Sequence, residues 1–377
     1  MAIDSDFWSG RRVLLTGHTG FKGAWLSLWL QSLGARVTGL APSVAPTSPS
    51  LYELAGVAAG MAERVVDVRD RQAVLDAFAA EHPEVVLHLA AQPLVRRSLV
   101  DPAGTYEVNV MGTVNVLDAV RLVGQQVRAV VVVTSDKCYE NPGHGSVARK
   151  DSGHEDLGRE NSDPDNPAPH KPFVEDDPLG GSDPYSSSKG CAELVTMAYR
   201  RSFFADPDGP RVASARAGNV IGGGDWGEDR LIPDIVRAVT AGEPIAVRNP
   251  QAVRPWQHVL NPLGGYLLLA QRLWNSPEAA RGWNFGPAPG DVRTVRAIVE
   301  FLRERWGEAF AWELDGAVSA PEAAHLALDS SAAIERLGWQ PAWDLEQALD
   351  RVVQWYQAHL RGEDMRRVTF DQIAEFS

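Results

Sequence analysis

Tyr185 and Lys189 stand four residues apart in "DPYSSSKGCAELV", a spacing that sets both side chains on one face of a helix. An ammonium beside a phenol favours the phenolate, and a phenolate near neutral pH can take the proton of a substrate hydroxyl. That chemistry suits oxidation of an alcohol by hydride transfer to a nicotinamide. A second cluster, Ser135, Asp136 and Lys137, closes "AVVVVTSDKCYENP". There a carboxylate and an ammonium follow directly on an apolar run, at the kind of strand end where open parallel sheets hold their ligands. In isolation the pair reads as a strand cap in water; beside Tyr185 and Lys189 it reads as an acid and a base.

These groups need a cofactor site and a scaffold. In "LLTGHTGFKGAW", Gly17, Gly20 and Gly23 follow the first apolar run and open the first helical segment. Glycines there permit a tight turn and close backbone approach, so that a helix N-terminus can hold a pyrophosphate. Lys22 is placed either for a phosphate contact or for solvent. An acid at the end of the second strand often holds the adenosine ribose, but "RVTGLAPS" contains none. Asp67, with Val68 beside it in "VVDVRD", is therefore the candidate for the adenine end. No arginine stands at the end of "TGLAPS" to take a 2′-phosphate, which favours NAD over NADP.

The scaffold is legible from alternation. "RRVLLTG", "ARVTGL", "EVVLHLAA" and "RAVVVVTS" are strand-like runs separated by the helical segments "GAWLSLWLQSLG", "QAVLDAFAAEH" and "NVMGTVNVLDAVRLVG". Strands alternating with helices at this spacing predict βαβ units and an α/β, Rossmann-type doubly wound parallel sheet. The near-continuous apolarity of the strands predicts helices on both faces. Asp183 and Pro184 have the types expected at the N-cap and first turn of the Tyr185 helix.

Residues 141–172 break this pattern: no aromatic residue, repeated Pro and Gly, and many acids read as an exposed loop insertion. Its His144, His154 and His170 are irregularly spaced without cysteine partners nearby, so they are read as solvated and no metal site is expected. The second half mixes short elements with "RPWQHV", "GWNFGP" and "LGWQPAW" and a helix near "DLEQALDRVVQWYQAHLRG", predicting a smaller mixed α/β C-terminal substrate domain. The expected division gives residues 1–214 with 255–285 to the cofactor domain, and residues 215–254 with 286–377 to the substrate domain.

A chain of 377 residues with 44% hydrophobic content supports a substantial core. Its net charge of −13 argues against nucleic acid and anionic membranes as partners, so a phosphate site has to be built locally. Two cysteines and an acid-containing N-terminus argue for a reducing cytoplasm, and no apolar run approaches the roughly 20 residues that span a bilayer.

The motifs "TGHTGFKG", "HLAAQ" with His88, "NVMGT" with Asn109, Tyr185 with Lys189, and "RAGNVIGGGDW" resemble those of the extended short-chain dehydrogenase/reductases that act on nucleotide sugars. Within that family "TSDKCYEN", "GGSDPYSSSKGCAELV" and "RNPQAVRPWQHVLNPLGGYLLLAQ" are similar to the pattern of the CDP-glucose 4,6-dehydratases. The resemblance implies tightly held NAD, a CDP-glucose substrate, a CDP-4-keto-6-deoxyglucose product for deoxysugar and surface polysaccharide synthesis, and a homodimer or dimer of dimers. It implies that Tyr185, Lys189 and Ser135 serve the C4 hydroxyl, that Asp136 is the acid toward the C6 oxygen, and that Lys137 occupies the C5 base position. It assigns the cofactor Gly17, His18, Thr19, Gly20, Phe21, Lys22, Gly23, Asp67, Val68, Leu89, Ala90, Ala91, Gln92 and Thr134, besides Tyr185 and Lys189. To the nucleotide it assigns Asn219, Arg230, Leu231, Arg254, Trp256 and His258, although tryptophans are more often core than ligand stackers. The 141–172 loop replaces a shorter, Trp-containing link in the family. A nucleotide-sugar 4-epimerase shares the glycine turn and the Tyr/Lys pair but has no use for an acid and base at C5 and C6, and a redox-sensing binding protein with a dead site would have no use for Tyr185 and Lys189.

Overall fold

The computed structural model describes residues 3–141, 171–306, 311–314 and 326–377; the expected loop insertion, apart from its ends, and its three histidines lie outside them. Seven parallel strands form the central sheet: β1 (Arg12–Thr16), β2 (Arg36–Ala41), β3 (Ala62–Val65), β4 (Val85–His88), β5 (Ala129–Val133), β6 (Arg211–Ala217) and β7 (Gly282–Phe285). Their order across the sheet is β7-β6-β5-β4-β1-β2-β3, every pairing parallel. Strand order reverses between β1 and β4, the place where such sheets open a ligand crevice at their carboxyl ends.

Strand side chains alternate between faces, and here both faces are covered. In β5, Ala129, Val131 and Val133 enter one apolar core with Trp25, Leu26 and Leu263, while Val130 and Val132 enter a second core with Phe78, Val116 and Leu117. The first core is supplied by α1 (Phe21–Ser32) and the second by α2 (Arg71–Glu81) and α3 (Gly112–Val123). The unbroken valine run of β5 is thus the sequence of a strand with no wet face.

The Tyr185 helix, α4 (Pro184–Ser202), begins as expected: the Asp183 carboxylate accepts from the Ser186 N–H at 2.9 Å and Pro184 occupies the first turn. Later come α5 (Leu231–Ala241), α6 (Leu260–Asn275), α7 (Val295–Trp306), α8 (Leu345–Leu360) and α9 (Met365–Phe376). Three two-stranded pairings give this smaller mixed region its strands: Val220–Ile221 with Gln257–His258, Val253–Pro255 with Val292–Thr294, and Ile245–Val247 with Trp312–Leu314. Helix α8 starts with a capping box between Asp344 and Gln347 and packs Trp355 over Gly223, where a Cβ would come within 2.0 Å of the indole.

Candidate active site

The carboxyl ends of β1, β4, β5 and β6 deliver the site. After β1, Gly17 takes a φ of +76°, and a Cβ on it would lie 2.8 Å from the Ala90 backbone after β4. A Cβ on Gly23 would lie 2.1 Å from the Gly17 oxygen, so neither position admits a side chain without moving the turn. Gly20 caps α1 with no side-chain hydrogen bond, leaving first-turn N–H groups for a ligand. Its own Cβ would meet nothing nearer than 3.4 Å. A bare helix N-terminus beside an open glycine fits a pyrophosphate, and with it NAD.

Around this turn the neighbouring strand end is rigid. Thr16 Oγ1 bonds His88 Nδ1 at 2.7 Å and accepts from the N–H groups of Leu89 and Ala90, and His88 Nε2 lies 3.2 Å from Thr113 Oγ1. Burial, aided by Lys189, lowers the His88 pKa to about 3; it is a neutral cross-link between β1, β4 and α3. Asn109 holds the Gln92 backbone at both N–H and C=O and donates to Ser188 of α4 at 2.8 Å. The segment Leu89–Gln92, including Ala91, is thereby fixed to the Tyr185 helix. His18 turns its ring onto Gly39 of β2 and bonds Glu63 at 2.7 Å, and Tyr52 donates to the same Glu63 oxygen. The Asp67 carboxylate is taken by the Arg69 guanidinium, which lowers its pKa. Val68 beside it packs against Gly112.

Tyr185 and Lys189 are both buried, on the same face of α4. Burial raises the Tyr185 phenol to about 12, with nearby Ser135 pulling the other way. Lys189 Nζ donates to the Val133 carbonyl at 3.4 Å, and burial lowers its pKa to about 8. Ser135 Oγ donates to Asp136 Oδ1 at 2.8 Å and accepts from the Lys137 N–H at 3.2 Å. One hydroxyl therefore ties the carboxyl to the start of the turn. Asp136 is 2% exposed, and its Oδ2 has no hydrogen-bond partner among the described residues. Burial raises its pKa against the opposing pull of Lys137, Ser135, Lys22 and Arg254, the environment of a carboxyl kept protonated to serve as an acid. Lys137 is half-buried.

Cations gather beside this group. Lys22, half-buried by surface area yet walled in by protein, is lowered to about 8 by burial and by nearby Arg230 and Lys189. Arg230 presents Nη1 to both oxygens of Asp225, at 3.0 and 2.9 Å, and Leu231 follows it as the first residue of α5. Arg254 is buried, donates to the Val253 carbonyl at 2.9 Å, and lies close enough to influence Asp136. Asn219 accepts from the Gln257 N–H through its carbonyl at 3.1 Å. An acidic protein has thus built a local positive site suited to a diphosphate. Trp256 and His258 are not brought to it. Trp256 donates to the Arg293 carbonyl from within the main core, and His258 is fully buried between Trp25 and Trp343, its pKa lowered to about 3 by burial.

Residues 13–280 match the family described as NAD dependent epimerase/dehydratase. The chain belongs to that family. Among curated members, a CDP-glucose 4,6-dehydratase of Salmonella typhimurium is 46% identical over 99% of this chain and 98% of its own. A dTDP-glucose 4,6-dehydratase of Streptomyces griseus is 29% identical over 73% of this chain and 72% of its own. A dTDP-glucose 4,6-dehydratase from Streptomyces venezuelae, solved with NAD and TYD bound, superposes with a TM-score of 0.71 at 22% identity, covering 94% of this chain and 99% of that one. The UDP-glucose 4-epimerase of Thermotoga maritima, solved with UDP-glucose, gives 0.73 at 20%, covering 93% and 99%. Dehydratases and epimerases of this family share the fold, so local chemistry has to separate them. Among the described residues no helix is long and apolar enough to cross a membrane, and no group of three metal-ligating side chains occurs.

Sequence reasoning overlooked two partners that set the electrostatics of the site. Asp225, a single acid in "GGGDW", orients Arg230, and Glu193, an acid within the α4 pattern, lies buried beneath the catalytic turn. The spacing of Glu193 from Lys189 was a visible signal, since four residues more on the Tyr185 face points inward.

Proposed function

We propose that this protein is an NAD-dependent CDP-glucose 4,6-dehydratase, a hydro-lyase. The observation that carries the reading is Asp136: a buried carboxyl with one oxygen held by Ser135, the other without a hydrogen-bond partner among the described residues, and the Tyr185 phenol close enough to feel both. Oxidation or epimerisation at C4 needs the phenol alone, whereas elimination needs a second acid. Kinship with a CDP-glucose enzyme along the whole chain supports the choice of nucleotide and sugar.

In this mechanism Gly17, Gly20 and Gly23, Lys22, Leu89–Gln92 and Thr134 would hold NAD, and Arg230, Leu231, Arg254 and Asn219 would hold the CDP diphosphate. When bound, NAD would supply the hydride chemistry that oxidation at C4 and reduction at C6 require. Tyr185 takes the C4 hydroxyl proton; burial opposes its phenolate, so positive charge from Lys189, on the same helix face, is needed. The C4 ketone acidifies the C5 proton. Lys137 takes that proton while Asp136 protonates the departing C6 hydroxyl, and water leaves. Return of the proton to C5 completes CDP-4-keto-6-deoxy-D-glucose, a precursor of deoxysugars in surface polysaccharides, made in the cytoplasm. Exposed Met111 and Leu122 near and on α3, with Leu194 and Phe203 on and just after α4, support a homodimer, or a dimer of dimers, formed along those two helices.

Incubation with CDP-glucose and NAD in D2O, followed by NMR of the sugar, tests this. A 4-keto-6-deoxy product carrying deuterium at C5 is expected; a 4-epimer or unchanged substrate refutes it.

A further inference from the structure

A buried ion pair lies under the catalytic turn. Glu193, on the Tyr185–Lys189 face of α4, is 3% exposed, and Arg216, on β6, is 5% exposed. Glu193 Oε2 accepts from Arg216 Nη2 at 2.8 Å and from Ser214 Oγ at 2.6 Å, while Oε1 accepts from Thr134 Oγ1. Arg216 Nη1 donates in turn to the Tyr139 hydroxyl at 2.6 Å and to the Glu175 carbonyl at 2.8 Å. The Tyr139 hydroxyl donates to Asn284 Oδ1 on β7 at 2.7 Å, and its ring stacks on Phe173. Thr134 and Tyr139 flank Ser135, Asp136 and Lys137, so one ion pair grips the catalytic turn at both ends and anchors it to the helix that carries the phenol and the ammonium.

We propose that Glu193, Arg216 and Tyr139 are positioning residues which hold the Asp136–Lys137 turn in register with Tyr185, and that they serve the elimination step more than C4 oxidation. This rests on the dehydratase reading above. A buried ion pair contributes little net stability over apolar residues of the same shape, so its retention here is accounted for by the fixed geometry it imposes. Phenol and ammonium lie on one helix and keep their relation without it; the acid and base lie on a turn and depend on it.

The test uses full-length Tyr139→Phe and Glu193→Gln, with Phe78→Leu in the far core as a control for lost stability. Each is assayed for kcat and KM with CDP-glucose, for the near-ultraviolet absorbance of reduced nicotinamide in a single turnover, and for Tm. Tyr139→Phe is expected to lower kcat about 10-fold with KM within about twofold, and reduced nicotinamide accumulates because elimination has become slow. Glu193→Gln does the same more strongly, and Phe78→Leu keeps kcat within about twofold despite a lower Tm. Two results overturn the proposal: Tyr139→Phe and Glu193→Gln with parental kcat, or a loss that slows C4 oxidation and elimination equally. Turnover of CDP-glucose by the parent chain tests the dehydratase reading separately, so failure of one is distinguishable from failure of the other.

Discussion

Replacing Lys189 by methionine is expected to stabilise the cofactor-free protein while abolishing turnover. The ammonium is buried, and its one hydrogen bond to the described backbone, to Val133, is long at 3.4 Å. Burial lowers its pKa from 10.5 to about 8, against partial support from Cys138 and Glu193. That fall corresponds to roughly 3 kcal/mol held against the folded state whenever the amine is charged. Methionine fills a similar volume without the charge, so a gain of about 2 to 3 kcal/mol is expected near neutral pH. The pH dependence has a definite sign. A lysine that binds its proton less tightly when folded leaves the folded state with fewer protons between about pH 8 and pH 10.5, so the parent gains stability across that window. Below pH 8 both states are charged and the full cost stands, so the advantage of Lys189→Met is largest at pH 7 and shrinks toward pH 10.5. Urea denaturation of protein stripped of NAD, followed by tryptophan fluorescence at pH 7 and near pH 10, measures it; bound cofactor would add its own stabilisation. A variant no more stable than the parent at pH 7, or an advantage independent of pH, refutes the reasoning.

Asp136→Asn retains the shape of the acid but has no proton to give, so kcat should fall by about 100-fold or more while C4 oxidation persists, seen as reduced nicotinamide building up in a single turnover. Lys137→Met should suppress deuterium entry at C5 in D2O; exchange at the parental rate would remove Lys137 from the base role. Gly23→Ala forces a methyl to within 2.1 Å of the Gly17 oxygen, and calorimetric titration should find NAD affinity at least about 10-fold weaker in a chain that still folds. Leu194→Glu, on the exposed face of α4, should shift the protein toward a monomer in light scattering coupled to size exclusion.

How far the sequence could be read depended on whether a signal was local. The glycine turn, the valine-rich β5, and the Asp183–Pro184 start of α4 each depend on neighbours within one turn or one strand, and each was legible. The Tyr185–Lys189 face followed from helical spacing alone. What sequence could not supply was pairing across the fold. Helical spacing turns Glu193 inward, but nothing near it reveals that Arg216 on β6 and Thr134, just after β5, converge on its carboxylate. His258, in a run with Arg254, shared the look of a ligand segment, yet Gln257–His258 pairs with Val220–Ile221, and aromatic rings on two sides hold the imidazole in the core. Asp67 looked free to meet the adenine end because a sequence cannot show that Arg69 folds back onto it with two nitrogens.

The packing of Trp355 over Gly223 has a bearing on the order in which the site is made. The Tyr356 hydroxyl donates to the carbonyl of Asp225, a residue 131 positions earlier, and Asp225 is what aims Arg230. The glycine turn and β1 to β5 are synthesised first, whereas the proposed grip on a diphosphate is finished only when α8 closes over "GGGDW". A nascent or prematurely broken chain therefore carries a dinucleotide turn without a completed sugar-nucleotide cradle, and substrate capture becomes a late event in the protein's biogenesis.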